Sequence, residues 1–464
     1  MRNLPKEADL GRDPVGRLLF TLAAPAITSQ VVNALYNVVD RMYIGHIPGE
    51  GAAALTGLGV CFPLIMLISA FANLIGMGGA PRASILMGHG DEEGAERILG
   101  NCFAALVALS AVLTAISFLF MRPMLMLFGA SGATIGYAMD YMEIYAAGTI
   151  FVQITLGMNV FITAQGFSKV SMMTVVIGAA VNIILDPIFI FVLGMGVRGA
   201  AWATVISQAV SALWALRFLC GGRAVLKLRS ANMHVSRAVI MPCVALGFAP
   251  FVMQSTESLL VLSFNSSLLK YGGDVAVGAM TILSSVMQFA MLPVQGLTQG
   301  AQPIVSYNYG AGNPERMKQA FLLLLRSCLV CTAVIWALSL LCPGLFVHIF
   351  TDDPELAATA RWALRIYMAG IGVFGAQVAC QQTFIALGNS RTSSFLATLR
   401  KIILLIPLIY ILPHFFDDKV FAVFLAEPVA DLIAVATTVT LFSREFRRLL
   451  RSMREPRAGR SASA

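Results

Sequence analysis

Charged residues are scarce in this sequence. Only 12% of its 464 residues are Asp, Glu, Lys or Arg, whereas 58% are hydrophobic and the mean hydropathy is +0.79. A water-soluble chain of this length would form two or three domains and carry about twice as much charge. The composition therefore excludes a soluble globular protein and indicates an integral membrane protein.

The sequence also lacks several signals of other functions. It contains no P-loop lysine motif, which argues against a pump with its own ATP-driven motor. Most of the eight cysteines lie inside apolar runs, so no disulfide framework is indicated, and Cys328 and Cys331 are interpreted as packing residues. The five histidines are scattered, and no metal cluster or nucleophilic triad is indicated. We therefore expect neither an enzyme nor a bound cofactor. No cleavable signal peptide precedes the first apolar run, which we expect to act as its own insertion signal.

Apolar runs of roughly 20 residues recur along almost the whole chain. Gly and Pro occur inside these runs and there is no sustained alternation with period 2, which favours helices over a transmembrane barrel. We predict an all-α membrane protein with twelve transmembrane helices. The predicted spans are 15–40, 53–78, 98–121, 136–163, 171–193, 199–219, 241–269, 275–300, 318–341, 358–385, 393–415 and 420–442.

The net charge of +8 is explained by topology rather than by nucleic acid binding. With an even number of spans and both ends inside, most of the Lys and Arg residues fall on the cytoplasmic side, which is the positive-inside bias. We therefore expect a multi-pass protein of the cell membrane with both termini in the cytoplasm. The last segment, 443–464, contains seven arginines and is interpreted as a disordered basic tail that lies against anionic lipid.

The chain repeats itself at a constant offset. Shifting it by 222 positions superposes "IYAAG" on "IYMAG", "AQGFS" on "ALGNS", and Pro81, Gly88 and Phe128 on residues of the same type. Six spans in each half enter the membrane in the same direction, so the halves should be related by a pseudo-two-fold axis along the membrane normal. We predict two six-helix lobes, 1–225 and 226–442, followed by the tail. Transporters built this way have their sites inside or between the halves.

Polar residues inside the first-half spans fall on shared helix faces. Asp40 lies on a stripe of the first span that also contains Asn33, Tyr36 and Asn37, and Asn182 is four residues before Asp186 in the fifth. A mid-membrane carboxylate costs about 2.5–3.5 kcal/mol on insertion scales, and no Lys or Arg lies in the middle of the same half's spans. The missing partner is therefore predicted to be a proton or Na⁺, and the residues leave the choice open. Pro187 should free the carbonyl of Ile183 nearby.

The second half does not duplicate these acids. Leu404 and Leu408 stand opposite Asn182 and Asp186 when the halves are superposed at the same offset. Glu427 and Asp431 add acid to the twelfth span, and the buried charges are interpreted as acidic. Polar, mostly uncharged walls with acidic positions suit lipophilic cations, although glutamines can also hold helices together. The residues that we expect to line a substrate cavity are Asn33, Asn37, Gln254, Glu257, Asn265, Gln288, Gln295, Gln299 and Gln381.

Four motifs in this order resemble the multidrug and toxic compound extrusion (MATE) family, in particular its prokaryotic branch of MepA-like and DinF-like proteins. They are "PAITSQVVNALYNVVDRMYIG", "GMGGAPRASILMGHGDEEGA", "NIILDPIFIF" and "GLTQGAQPIVSYNYGAGN", and the resemblance extends over essentially all twelve spans. It implies a V-shaped pair of six-helix lobes that exports organic cations and drugs in exchange for Na⁺ or H⁺.

The resemblance also implies roles for particular residues. Asp40, Asn182, Asp186 and Thr204 correspond to the family's cation-coupling positions, where Na⁺ or H⁺ would bind, and Tyr36 and Asn159 correspond to neighbouring positions. Glu257 resembles the seventh-span acid of NorM-type members, but its surroundings differ. We expect small-molecule cations as substrates and a monomer without an obligatory protein partner.

Three other functions remain as alternatives. A lipid-linked sugar flippase of the same superfamily would carry Arg or Lys in its cavity, whereas this chain's buried charges are interpreted as acidic. An exporter of one endogenous metabolite is compatible with the same polar cavity. A receptor with a duplicated scaffold would show no gradient-dependent flux.

Overall fold

The chain folds into a bundle of long helices. The computed structural model describes residues 8–351 and 353–454, and all regular secondary structure among these residues is helical. The prediction of an all-α protein is therefore confirmed.

The first half of the chain contributes seven α-helices within the described residues. A π-helical turn, Ile188–Val192, follows the sixth helix, and a 3₁₀ turn, Ser230–Asn232, follows the seventh. The α-helices are α1 (Val15–Gly45), α2 (Gly51–His89), α3 (Glu92–Leu127), α4 (Ile135–Ala147), α5 (Thr149–Ala164), α6 (Ser168–Pro187) and α7 (Gly196–Leu219).

The second half contributes the remaining helices. A second π-helical segment, Leu399–Leu405, and a 3₁₀ turn, Leu412–His414, interrupt its eleventh span. The α-helices are α8 (Arg237–Ser255), α9 (Glu257–Gly310), α10 (Pro314–Leu341), α11 (Pro343–Val347), α12 (Pro354–Tyr367), α13 (Ile371–Ala386), α14 (Ser390–Thr398), α15 (Ile406–Ile411) and α16 (Lys419–Arg454).

The described helices make twelve crossings of the predicted membrane. Nine stretches are long and apolar enough to cross by themselves, and the bent pairs α4–α5 and α12–α13 add two more. The stretch Arg237–Gly310 makes two crossings, because a straight helix of 74 residues would be about 110 Å long, far more than a bilayer is thick. It turns back at Gly273, whose φ of 65° is readily adopted only by glycine. The predicted number of spans is thus confirmed.

The duplication is visible in the turns as well as in the spans. Gly90, with a φ of 84°, ends α2, and Asp91 caps α3 by accepting a hydrogen bond from the amide of Gly94 at 2.8 Å. The equivalent turn of the second half uses Gly312, with a φ of 69°, and Asn313, whose side chain caps α10. The same local chemistry therefore ends and restarts the helices in both halves.

Because successive crossings alternate in direction, α1 begins and α16 ends on the same side of the molecule. We name this the terminal side and the opposite one the far side. Each half forms a lobe with its own apolar core, but the first helix of each half crosses over. Leu18 and Leu22 of α1 belong to the core of the second lobe, and Ile240 and Cys243 of α8 belong to the core of the first. The predicted halves, 1–225 and 226–442, are therefore not separate in their packing, because the two cores exchange the bases of α1 and α8.

The two lobes touch on the terminal side through a glycine pair related by the pseudo-symmetry. A Cβ atom on Gly88 would lie 2.1 Å from the carbonyl oxygen of Tyr307, and one on Gly310 would lie 2.0 Å from that of Ile85. Tyr307 and Ile85 are themselves equivalent positions of the repeat, so the contact is the same seen from either lobe. Only glycine allows backbones to approach so closely, which explains why the repeat has glycine at both positions.

The segment before α1 also bridges the lobes on the terminal side. The guanidinium of Arg316, at the start of α10, donates hydrogen bonds to the carbonyls of Leu10 at 3.1 Å and Asp13 at 2.7 Å. The side-chain amide of Asn308 donates to the Leu10 carbonyl at 3.0 Å, while Ala8 lies beside Gly166 of the first lobe. The first described residues are thus fixed to the second lobe before the chain enters its first span.

The expectation of a disordered tail from residue 443 is wrong for its first twelve positions. The helix α16 continues to Arg454, and Phe446 and Leu450 are buried against the core of the second lobe. The ring of Phe446 lies 4.8 Å from that of Phe442 and 5.1 Å from that of Phe321, measured between centroids. Phe442, Phe446 and Leu450 recur at helical spacing, but the interpretation from sequence rested on the arginines between them. The remainder of the predicted tail, 455–464, lies outside the described residues.

Candidate functional site

The structure brings the two first-lobe carboxylates together. Asp40 lies near the far end of α1 and Asp186 lies in the last turn of α6, and the two helices pack against each other. Asp40 is 8% exposed and Asp186 is fully buried. Their carboxyl groups lie next to each other. Two carboxyl groups can make such a contact only when they share a proton or a cation, because two negative charges so close repel strongly.

Neither carboxylate has a basic partner among the described residues. The six ion pairs among the described residues all involve acids other than Asp40 and Asp186. Arg41 follows Asp40 in sequence, but its guanidinium lies over the ring of Phe62 at 5.3 Å from the centroid. The described residues therefore supply no ion-pair partner for either carboxylate.

Three buried oxygens in this group have no hydrogen-bond partner. They are Oδ1 of Asp40, Oδ1 of Asn182 and Oδ2 of Asp186. Asn182 is one turn before Asp186 and donates to its other oxygen, Oδ1, at 3.5 Å. A buried oxygen without a partner is unfavourable, so these three neighbouring oxygens are available to bind a proton or a cation. A set made only of oxygens suits a proton or a hard cation such as Na⁺.

Helix α6 changes character where the acid lies. It ends as an α-helix at Pro187 and continues as the π-helical turn Ile188–Val192. Proline has no amide hydrogen to donate, so the regular ladder is interrupted one residue after Asp186. A π-helical turn at such a place is frequently found at functional sites.

Two tyrosines that sequence reasoning missed complete this group. Tyr141 and Tyr145 lie on α4, their rings stack with centroids 6.0 Å apart, and both are buried. The hydroxyl of Tyr141 donates to Oγ1 of Thr204 at 3.5 Å, and this tyrosine also lies close to Asp40. The four-residue spacing in "YMEIY" places both rings on one face, which was the signal available in the sequence.

Tyr36 and Thr204 lie with the acids, as expected, but Asn159 does not. Tyr36 is close to both carboxylates. The side-chain amide of Asn159 donates to the carbonyl of Ser171 at 3.3 Å. Ser171 is fifteen residues before Asp186 on the same helix, about 22 Å along its axis. Asn159 therefore lies far from Asp40 and Asp186.

The duplication explains what Asn159 does. Gln381, its equivalent in the second half, donates to the carbonyl of Ser393 at 2.7 Å, and Ser393 is the equivalent of Ser171. Gln381 is only 3% exposed, so the structure places it in the interior of the second lobe rather than in an open cavity. Asn159 thus fastens the fourth span to the helix that follows it, and Gln381 does the same for the tenth span. The same bond in both lobes indicates a structural role.

The other predicted cavity residues divide into two groups. Asn33, Asn37, Gln288 and Gln295 are exposed, and Asn265 and Gln299 are half-buried. Gln254 instead accepts a hydrogen bond from the side chain of Asn73 at 2.5 Å, across the contact between α8 and α2. Glu257, which begins α9 after the break that ends α8, is exposed.

The interpretation that the buried charges are acidic is wrong for the second lobe. Arg400, buried in the π-helical segment Leu399–Leu405, donates through Nε to Asp431 at 2.7 Å and through Nη2 to Glu427 at 2.8 Å. Its guanidinium also lies over the ring of Phe374, 4.4 Å from the centroid. The next residue, Lys401, is equally buried and forms an ion pair with Glu257. Acids that are distant in sequence thus have counter-ions inside the second lobe.

Duplicated six-span lobes, exchanged helix bases and a buried carboxylate pair without a basic partner among the described residues together define the class of a membrane transporter with two lobes. A family model then identifies it further: the MatE family matches residues 25–188 and 250–411, and the chain belongs to that family. Each matched segment lies within one of the two halves, in agreement with the internal repeat.

Named relatives and solved structures agree with this assignment. The multidrug export protein MepA of Staphylococcus haemolyticus is 25% identical over 430 residues, which cover 92% of this chain and 94% of the relative. The MATE multidrug transporter DinF-BH, whose structure was solved as a complex, is 34% identical, with a TM-score of 0.88 and coverage of 97% and 99%. An outward-facing multidrug resistance MATE family transporter has a TM-score of 0.90 at 22% identity, covering 97% and 99%. The V-shaped, two-lobed MATE fold is thereby confirmed.

Proposed function

We propose that this protein is a secondary active efflux transporter that exports organic cations and drugs by antiport with Na⁺ or H⁺. The observation that carries the proposal is the neighbouring pair Asp40 and Asp186. It is buried, has no basic partner among the described residues and, together with Asn182, contains three oxygens without a hydrogen-bond partner. A structural ion pair would include its own positive charge. This site has to obtain one from solution.

Binding at this site is coupled to the packing of two helices. A proton or Na⁺ between the carboxylates allows α1 and α6 to remain in contact, and its loss leaves two like charges that push the helices apart. A cation that binds one arrangement better shifts the equilibrium towards it, and this is how an ion gradient drives alternating access. One charge moving inward through 100 mV supplies about 2.3 kcal/mol, which is roughly a 50-fold concentration ratio.

The organic substrate is assigned to the open space between the lobes. Exposed polar side chains on membrane-spanning helices are costly against lipid, so Asn33, Asn37, Gln288 and Gln295 are placed on a water-filled cleft. The relatives support a drug-like substrate, since one is named a multidrug export protein and another is described as a multidrug transporter. The basic residues concentrated on the terminal side support a cytoplasmic position for both termini.

The alternative is export of an anionic substrate, such as a lipid-linked metabolite, and Arg400 and Lys401 are the observation in its favour. Arg400 is already bonded to two carboxylates, and Lys401 is bonded to a third. Both basic side chains are at most 10% exposed. Their charges are neutralised inside the lobe, so the organic cation is the better supported substrate.

The test uses purified protein in proteoliposomes with ethidium as the substrate. We expect the parent protein to move ethidium when an opposing Na⁺ or H⁺ gradient is imposed, and comparison of the two gradients identifies the ion. Asp186→Asn should abolish gradient-driven movement. The matched control is Asp140→Asn, because Asp140 is an exposed acid whose pair with Arg198 lies at the surface and contributes little.

Two results would contradict the proposal. If the parent moves no cation under either gradient, the protein is not such an antiporter. If Asp186→Asn retains full gradient-driven movement, the acid pair is not the coupling site.

A further inference from the structure

The ion pair between Lys401 and Glu257 is unequal in its exposure. The Lys401 side chain is 8% exposed, whereas that of Glu257 is 59% exposed. In an ordinary surface ion pair, the long flexible lysine reaches into solvent and the acid is its equal or more buried. Here the carboxylate is largely exposed and the ammonium approaches it from inside the lobe.

The break between α8 and α9 creates this arrangement. Because α8 ends at Ser255, the carbonyl of Met253 lies in its last turn, where carbonyls have no partner within the helix. The ammonium of Lys401 donates to this carbonyl at 2.5 Å as well as to Glu257. Lys401 therefore has a second acceptor that does not depend on Glu257.

The neighbouring charges allow Lys401 to lose Glu257 as its partner. Glu427 is bonded to Arg400 and also lies close to both Lys401 and Glu257. Counting the acids Glu257, Glu427 and Asp431 against Arg400 and Lys401, the group has three negative and two positive charges. It is one negative charge in excess, so an ammonium released from Glu257 stays among acids.

We propose that Lys401 is a tethered counter-cation that the cationic group of a substrate displaces from the Glu257 carboxylate. Glu257 then binds the substrate at the cleft, while Lys401 turns to Glu427 and the Met253 carbonyl. Lys401 thereby sets the charge that a substrate must carry. This inference rests on the proposed export of organic cations and adds a residue that determines specificity.

A purely structural lysine would behave differently. If Lys401 only held Glu257 in place, its removal would weaken substrate binding or leave it unchanged. If Lys401 competes with the substrate, its removal strengthens binding, and more for a doubly charged substrate, since the group then has an excess of two negative charges instead of one.

The experiment measures the dissociation constants of tetraphenylphosphonium, with one positive charge, and of methyl viologen, with two, on purified full-length protein in detergent. For Lys401→Met we expect a Kd about tenfold lower for the monocation, which is about 1.4 kcal/mol, and a larger decrease for the dication. Lys401→Arg, which keeps the charge, should stay near the parent. The control for loss of one positive charge elsewhere is Lys270→Met, since Lys270 is exposed and about 20 Å further along α9.

A double variant separates competition from altered folding. In Glu257→Gln, the further change Lys401→Met should lower both Kd values much less than it does in the parent, because the competition for the Glu257 carboxylate is then absent and only the change in net charge remains. The proposal is overturned if Lys401→Met leaves both constants unchanged, raises them, or acts equally in the Glu257→Gln background. A parent protein that binds these cations but fails the Lys401 comparison refutes only this inference, whereas failure of ethidium antiport by the parent refutes the proposed function.

Discussion

The glycine contact between the lobes predicts how they close on the terminal side. A Cβ atom on Gly88 would lie 2.1 Å from the carbonyl oxygen of Tyr307, while ordinary Cβ contacts begin at about 3.4 Å. Gly88→Ala therefore creates an overlap between two backbones, and Gly310→Ala creates the equivalent overlap against Ile85. No rotamer change relieves a clash with backbone, so the ends of α2 and α9 have to separate until the shortest contact has grown from 2.1 Å to about 3.4 Å.

The expected cost follows from the overlap. Overpacking of this kind costs about 1–3 kcal/mol, and each variant should lower the midpoint of thermal unfolding in detergent. The matched control is Gly59→Ala in the same helix, because a Cβ at Gly59 would have no neighbour within 4 Å. Replacing an unconstrained helical glycine by alanine should instead stabilise the protein by up to about 1 kcal/mol.

A distance measurement tests the geometry directly. Glu93 and Glu315 are exposed residues at the starts of α3 and α10, equivalent in the two lobes. Spin labels at these two positions, in a background without the exposed Cys220 and Cys342, should report longer distances in Gly88→Ala than in Gly59→Ala. Equal stability and equal distances in Gly88→Ala and Gly59→Ala would refute the reasoning.

Two further predictions concern the interior of the lobes. Arg400→Met leaves the buried carboxylates of Glu427 and Asp431 without their counter-ion, so thermal unfolding in detergent should show a loss of about 3–5 kcal/mol in stability. The triple variant with Glu427→Gln and Asp431→Asn should regain most of this stability. An equally unstable triple variant would contradict this account. Asn159→Ala and Gln381→Ala each remove one of two equivalent hydrogen bonds, so each should lower stability by about 1 kcal/mol in the same assay. Ethidium antiport by both variants should keep its ion dependence. Loss of ion coupling in Asn159→Ala alone would show that the role of Asn159 is not structural.

Much of the architecture could be predicted because a membrane imposes it. Apolar runs of the required length indicated the twelve spans, and the constant offset between matching motifs indicated the two lobes. Helical periodicity also placed Asn182 and Asp186 on one face. It could not identify the helix that this face meets, since periodicity describes a single helix and not its neighbour. The contact between Asp40 and Asp186 therefore needed the structure.

The errors have a common physical origin. Arg400 and Lys401 lie near the start of a predicted span, and their acids are supplied by other helices. Ion pairs between residues so far apart leave no local pattern. Asn159 and Gln381 were assigned by resemblance or polarity alone, and only their matching bonds to Ser171 and Ser393 distinguish fastening from binding.

The attachment of the chain before α1 has a mechanical consequence. Helix α1 has its base in the core of the second lobe, held there by bonds between Arg316 and the carbonyls of Leu10 and Asp13. Its other end, about 40 Å away, carries Asp40 into the first lobe. The helix is therefore a lever with its fixed point in one lobe and its charged tip in the other. Separation of the lobes on the terminal side must either break the anchor or tilt the tip, so the fit of the two carboxylates depends on the position of the whole second lobe.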